Sequence, residues 1–148
     1  MRIRQMDVRD LPQVMAIEEA SFADPWLPEA FLCEIEGPLS HAAVLEDDSG
    51  IVGYTTFRTV VDEGHLMNVA VASERRGEGW GRRLLTYVIE TCRGRGAIYL
   101  YLEVRRSNVP ARSMYERAGF VEQGIRRKYY RDGEDAILMV LFLEQEEG

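Results

Sequence analysis

Apolar positions along the chain change their spacing several times, and each change marks an element. A short apolar and polar alternation at Ile3 to Met6 predicts a strand. Asp10 then reads as a helix cap, with Pro12 in the first turn and Leu11, Val14, Met15, Ile17 and Glu18 at helical spacing to about Ser21. A second helix is expected from Pro28 to Glu36, stopped by Gly37-Pro38. His41 to Glu46 and Ile51 to Val61 read as a hairpin around Asp47-Asp48-Ser49-Gly50, and Leu66 to Val71 as the next strand.

The period then shifts. Gly77-Glu78-Gly79-Trp80-Gly81 opens a helix that carries Trp80, Leu84, Leu85, Val88, Ile89 and Cys92 on one face and ends at Arg93-Gly94-Arg95-Gly96. Ala97 to Val104 is rich in strand formers, and Asn108 to Ala118 predicts a helix stopped by Gly119. Two last strands, Val121 to Tyr129 and Ala136 to Phe142, are expected to turn at Asp132-Gly133. The order β-α-α-β-β-β-α-β-α-β-β has hairpins at both ends and a strand-helix-strand crossover between them. That order predicts an α+β fold, a mixed sheet with helices on its faces.

A length of 148 residues suggests one domain over residues 1–148, with Glu144 to Gly148 as a frayed acidic tail. Eighteen basic side chains against 25 acidic ones leave a formal charge of −7, which argues against nucleic-acid binding and leaves room for a cationic partner. Arg126-Arg127-Lys128 is too short a basic run to reverse that reading. The charged start predicts no signal peptide, and no apolar run approaches the ~20 residues of a membrane span. Cys33 and Cys92, far apart and both in helix-like segments, read as reduced, buried small hydrophobes of a cytoplasmic protein. His41 and His65, with so few thiols, predict no metal site.

Three features carry candidate chemistry. Arg75-Arg76-Gly77-Glu78-Gly79-Trp80-Gly81-Arg82-Arg83 lies between a strand and a helix, where glycines let backbone N–H groups approach an anion and the helix start adds its positive end. Its spacing excludes GxGxxG and the P-loop, because Arg82 stands where the third glycine would be and no Gly-Lys-Ser/Thr follows. Glu103 shares a strand face with Tyr99 and Tyr101, and aromatic surroundings suit a carboxylate to general-base work. Tyr115, with Ala111, Met114 and Ala118, lies on the inward face of its helix, as a packing aromatic or as a phenol aimed into a cleft. Asn108 is most simply a helix cap, though Pro110 favours a later start that would free its amide for a ligand.

The loop Arg76-Gly77-Glu78-Gly79-Trp80-Gly81 resembles the R/Q-x-x-G-x-G/A loop of the GNAT acyl-CoA-dependent N-acetyltransferases. Further stretches resemble the bacterial RimI type, which acetylates the N-terminal alanine of a small-subunit ribosomal protein. They include Asp24-Pro25-Trp26, Leu66 to Val71, Leu102-Glu103-Val104-Arg105, Ser107-Asn108, Met114-Tyr115-Glu116, Ala118-Gly119-Phe120, Ile125 to Tyr130 and Glu134-Asp135-Ala136. The resemblance implies the GNAT fold, a mostly antiparallel sheet of about six to seven strands with about four helices. It also implies acetyl-CoA as co-substrate and a basic protein N-terminus as acceptor. Carried over by position, Val69, Ala70 and Val71 would offer backbone groups to the pantetheine arm and thioester carbonyl. Arg76, Gly77, Glu78, Gly79, Trp80, Gly81 and Arg82 would hold the pyrophosphate, and Asn108 would contact the cofactor. Glu103 would be the general base and Tyr115 the general acid. Leu27 in place of a capping serine, Pro110, and the short Arg131-Asp132-Gly133 turn depart from the pattern, the last bearing on acceptor choice. An enzyme acting on a small amine or on lysine side chains, and a non-catalytic acyl-CoA-binding module, are the competing expectations.

Overall fold

The computed structural model describes residues 1–144. Its strands are β1 (Arg2–Gln5), β2 (Ser40–Asp47), β3 (Gly50–Val60), β4 (Glu63–Val71), β5 (Tyr99–Arg105), β6 (Val121–Arg126) and β7 (Ala136–Phe142). Its helices are α1 (Leu11–Ser21), α2 (Pro28–Glu36), α3 (Trp80–Gly94) and α4 (Val109–Arg117). The strands form one sheet in the order β1-β2-β3-β4-β5-β7-β6. Every pairing is antiparallel except β4 with β5, which the α3 crossover makes parallel. This is the mixed α/β architecture expected from the element order.

Helices cover both faces of the sheet. Leu85, Val88 and Cys92 of α3 bury against Phe57, Leu66, Leu100, Leu102 and Met139, with Tyr115 of α4 in the same cluster. Val14 and Ile17 of α1 and Phe31 of α2 pack with Val44, Tyr54 and Ala70 on the other side. Truncating a leucine as deeply buried as Leu85 to alanine would cost about 2–5 kcal/mol. Helix α3 lies close to the sheet: a Cβ on Gly64 of β4 would come within 2.8 Å of the Cys92 sulfur.

Several local expectations are corrected. Asp10 does not cap α1 with its side chain. Its carboxylate turns back to accept the Asp7 N–H (2.8 Å) and the Arg4 guanidinium (2.8 Å), closing a capping box on a preceding 3-10 turn, Val8–Asp10. Cys33 is exposed on α2, whereas Cys92 is buried, its thiol pushed up to about 11 by that burial. Strand β4 starts at Glu63, earlier than its hydrophobic run at Leu66. Strand β6 stops at Arg126 instead of Tyr129, because Lys128 takes a left-handed φ of 52° and its N–H turns to the Asp135 carboxylate (3.0 Å). Of the acidic tail expected over Glu144 to Gly148, the part from 145 on lies outside the described residues. Among the described residues no helix is long and apolar enough to cross a membrane.

Candidate active site

The centre of the sheet opens where its two parallel strands part. Strands β4 and β5 pair only from Glu63↔Tyr99 to Leu66↔Leu102. Beyond that point β4 continues to Val71 and β5 to Arg105 without a ladder between them, so a wedge separates Val69, Ala70 and Val71 from Glu103. A bulge accompanies the parting: Thr56 pairs with Asn68 and Phe57 with Leu66, leaving Met67 as the extra residue. The bulge shifts the alternation by one, so Val69 joins Leu66 against the apolar side while Ala70 packs with α1 and α2. Along the wedge, β4 therefore presents backbone N–H and C=O groups unclaimed by a β5 partner.

The loop after β4 has open amides and clear space above its glycines. Gly77 and Gly79 have φ values of 81° and 90°, and a Cβ on either would meet nothing within 4 Å, so the positive φ requires glycine there. Gly79 precedes α3 without a side-chain cap. Arg83 is the first helical residue whose N–H finds an acceptor, the Gly79 carbonyl at 3.1 Å; the N–H groups of Trp80, Gly81 and Arg82 have none among the described residues. Open amides at a helix start, with clear space above two glycines, fit a pyrophosphate. The arginines divide: Arg75 is engaged by Asp47 (2.7 Å) and Glu78 (3.2 Å). Arg76 folds back onto the Val71 carbonyl (3.2 Å) and the Ser21 hydroxyl (3.0 Å). Arg82 and Arg83 are exposed. Glu78 is an internal brace, accepting from Arg75 and from the Trp80 indole (3.0 Å).

Glu103 stands at the mouth of the wedge, with its side chain 26% exposed. Arg126 Nε lies 3.1 Å from its carboxylate, and the Tyr129 hydroxyl donates to it. Arg126 is the last residue of β6 and Tyr129 lies in the link to β7, with the left-handed Lys128 between them turning the chain. The adjacent Tyr130 packs edge-on against Tyr129, under the Arg105 guanidinium 4.1 Å from its ring centroid. Arg105 is itself held by Asp132 (2.9 Å) and Glu134 (3.0 Å). Burial first, and the Glu103 charge among the lesser causes, raise the Tyr130 phenol to about 12, so it remains a neutral donor.

Tyr115 enters from the opposite face, 6% exposed and edge-on to Phe120 at 5.6 Å. Burial pushes its phenol well above the usual range, with a smaller push from Tyr130, so Tyr130 interacts electrostatically with both Glu103 and Tyr115. Asn108 takes the cap role: its Oδ1 accepts the Ala111 N–H at 3.3 Å with Pro110 in the first turn, which leaves its amide nitrogen as the group available to a ligand.

The structure adds a residue that the sequence did not single out as functional. Glu18, on the apolar stripe of α1, is 1% exposed and accepts from the Tyr54 hydroxyl, the Asn68 amide (3.1 Å) and the Trp26 N–H (2.9 Å). A glutamate among Val14, Met15 and Ile17 was the available signal.

A crossover wedge with a glycine-rich amide loop on one flank and a carboxylate on the other defines a class of acyl-transfer fold, and comparison with known proteins agrees. Residues 11–120 match the Acetyltransferase (GNAT) family, and the chain belongs to that family as an N-acetyltransferase. At the level of individual proteins, it is 37% identical over 142 residues to the [ribosomal protein bS18]-alanine N-acetyltransferase of Escherichia coli strain K12, covering 94% of this chain and 95% of that one. A Bacillus subtilis protein provisionally named for the same reaction is 39% identical over 139 residues, covering 93% and 92% of the two chains. The crystal structure of the Escherichia coli ribosomal-protein-S18-alanine N-acetyltransferase superposes with a TM-score of 0.89 at 36% identity, over 99% of this chain and 96% of that one. That of Ard1 from Thermoplasma volcanium gives 0.90 at 25% identity, over 97% and 98%.

Proposed function

We propose that the chain transfers the acetyl group of acetyl-CoA to the N-terminal α-amine of a basic small-subunit ribosomal protein in the cytoplasm, with alanine as the acceptor residue. The observation that carries this reading is the wedge itself: β4 and β5 stop pairing after Leu66↔Leu102, which leaves Val69 to Val71 without a β5 partner beside the strand that carries Glu103. The names of the relatives support the acceptor, and a charge of −7 favours approach of a cationic protein tail.

Acetyl-CoA supplies the activated acyl group. The amides from Gly77 to Arg82 hold its pyrophosphate, the β4 edge orients the pantetheine arm, and the Asn108 amide nitrogen adds a contact. A backbone N–H at Ala70 or Val71 faces the oxygen on which negative charge develops. Glu103 takes the proton from the attacking amine, its carboxylate aimed by Arg126 and Tyr129. As the carbon–sulfur bond breaks, Tyr115 gives its phenolic proton to the leaving thiolate; Glu103 then returns its proton to solvent and Tyr115 regains one. An α-amine (pKa ~8) loses its proton more readily than a lysine (pKa ~10.4), so one carboxylate suffices. No covalent enzyme intermediate is needed, consistent with Cys92 being a buried, protonated thiol.

Release of CoA thiol from acetyl-CoA, measured with a basic alanine-starting peptide and with the same peptide N-terminally blocked, tests the proposal. Turnover of the free peptide alone is expected. Turnover of both would move the reaction to lysine side chains. Silence on both, with acetyl-CoA still bound, would replace the peptide by a small amine.

A further inference from the structure

Glu18 poses a physical question that the reaction above leaves unanswered. A carboxylate removed from water costs several kcal/mol unless it is paired or fully hydrogen-bonded, and an apolar residue would fill the same space more cheaply. The other buried glutamate among the described residues, Glu34 of α2, has a cation, Arg58. Glu18 is in no ion pair among the described residues; three donors hold it instead. Tyr54 is one of them, and burial first and the Glu18 carboxylate second keep its phenol protonated far beyond the usual range, so it remains a donor.

The donors come from three places around the β4 stretch that has no β5 partner: Tyr54 and Trp26 share a core cluster with Ala70, and Asn68 lies on β4 itself. Tyr54 sits in the middle of β3, opposite Ala70. Trp26 lies in the link between α1 and α2, where its N–H is fixed and its ring packs 5.2 Å from Phe31. Asn68 is the first residue of β4 past the bulge, two residues beyond the last β4–β5 pair, Leu66↔Leu102. Its side-chain amide goes to Glu18 and its carbonyl accepts the buried Thr55 hydroxyl at 2.8 Å, so it is held at both ends. Among the described residues the Thr56 hydroxyl, buried cross-strand from Asn68, has no hydrogen-bond partner, and Glu18 is the one acceptor of the Asn68 amide.

We infer that Glu18 is a positioning residue for acetyl transfer: through Asn68 it sets the orientation of the splayed β4 backbone, and through Trp26 it fixes the α1–α2 link beside it. The inference rests on the acetyl-transfer reading of the wedge. Its effect belongs in the chemical step, because the anion loop at Gly77 to Arg82 makes none of these contacts.

Glu18→Gln keeps the shape but sets an amide NH2 against either the Trp26 N–H or the Tyr54 and Asn68 donors, so at least one bond must be lost or turned round. The expected result is a drop in kcat of about tenfold, with acetyl-CoA affinity within about twofold of the parent and a cooperative unfolding transition retained. Asn68→Ala should lower kcat similarly, and the double variant should be no slower than the slower single one, since both interrupt one connection. An unchanged kcat in folded Glu18→Gln, or losses that multiply in the double variant, would overturn the inference. Turnover of the free peptide by the parent tests the acceptor separately. If the parent leaves the peptide untouched, the same ratios are read from its acceptor-independent hydrolysis of acetyl-CoA.

Discussion

The two flanks of the wedge are made in different ways. The glycine-rich loop is contiguous: Ser73 to Arg83 contains its glycines, its open amides, its helix start and the Glu78 brace, so its geometry follows from local backbone preferences. The Glu103 flank is assembled from α1, the α1–α2 link, β3, β4, β5, the end of β6 and the β6–β7 link, through Glu18, Trp26, Tyr54, Asn68, Glu103, Arg126 and Tyr129. A contiguous anion site tolerates change elsewhere in the chain, whereas an assembled one transmits changes from several elements to the reacting atoms. Cofactor affinity and turnover should therefore respond to different substitutions.

The largest separation is expected at Glu103. Glu103→Gln should lower turnover roughly 10²-fold or more while leaving acetyl-CoA affinity nearly intact, as isothermal titration beside steady-state rates would show. A parent-like pH–rate profile in that variant would remove Glu103 from the base role. Tyr115→Phe should follow in the same direction; a lowered melting temperature with unchanged kcat would reduce Tyr115 to packing.

The opposite case is Gly79→Ala. The new methyl meets nothing, so only the φ of 90° is penalised, at about 1–2 kcal/mol. Acetyl-CoA binding should weaken about five- to thirtyfold, with kcat at saturation close to the parent's. A fall in kcat at saturating cofactor would show that the two flanks are not separable.

The smallest effect belongs to a site outside both flanks. Hydrogen bonds first from Arg4 and then from Arg2 lower the Glu46 carboxyl from an ordinary 4.5 to about 2. A depressed folded-state pKa gives stability that is complete above the ordinary value and is lost as pH falls from about 4.5 toward about 2. Glu46→Gln should flatten the acid limb of the melting-temperature profile in that window and leave kcat at neutral pH unchanged. An acid limb identical to the parent's would show that other carboxylates set it.

What could be read from the chain follows this division. The bounds of α1 and α2, the face that α3 buries and the loop from Arg76 to Arg82 depend on residues close in sequence, and hydrophobic spacing and glycine placement expose them. Glu103 was legible as the polar position of an alternating strand. Its partners were not, because Lys128 breaks β6 and turns Tyr129 toward Glu103 only within the folded hairpin. Asp10 is a similar case: its carboxylate goes to Arg4, six residues away and across a turn.

The sequence by itself determined the element order, the mixed sheet and the glycine-rich loop before α3, since helical and strand periods and positive-φ glycines act through neighbours on the chain. Only the tertiary structure decided where β4 leaves β5, which donors surround Glu18 and what aims Glu103. Those outcomes depend on which distant polar groups meet once water is excluded, and a buried carboxylate must be satisfied by whatever the fold brings to it.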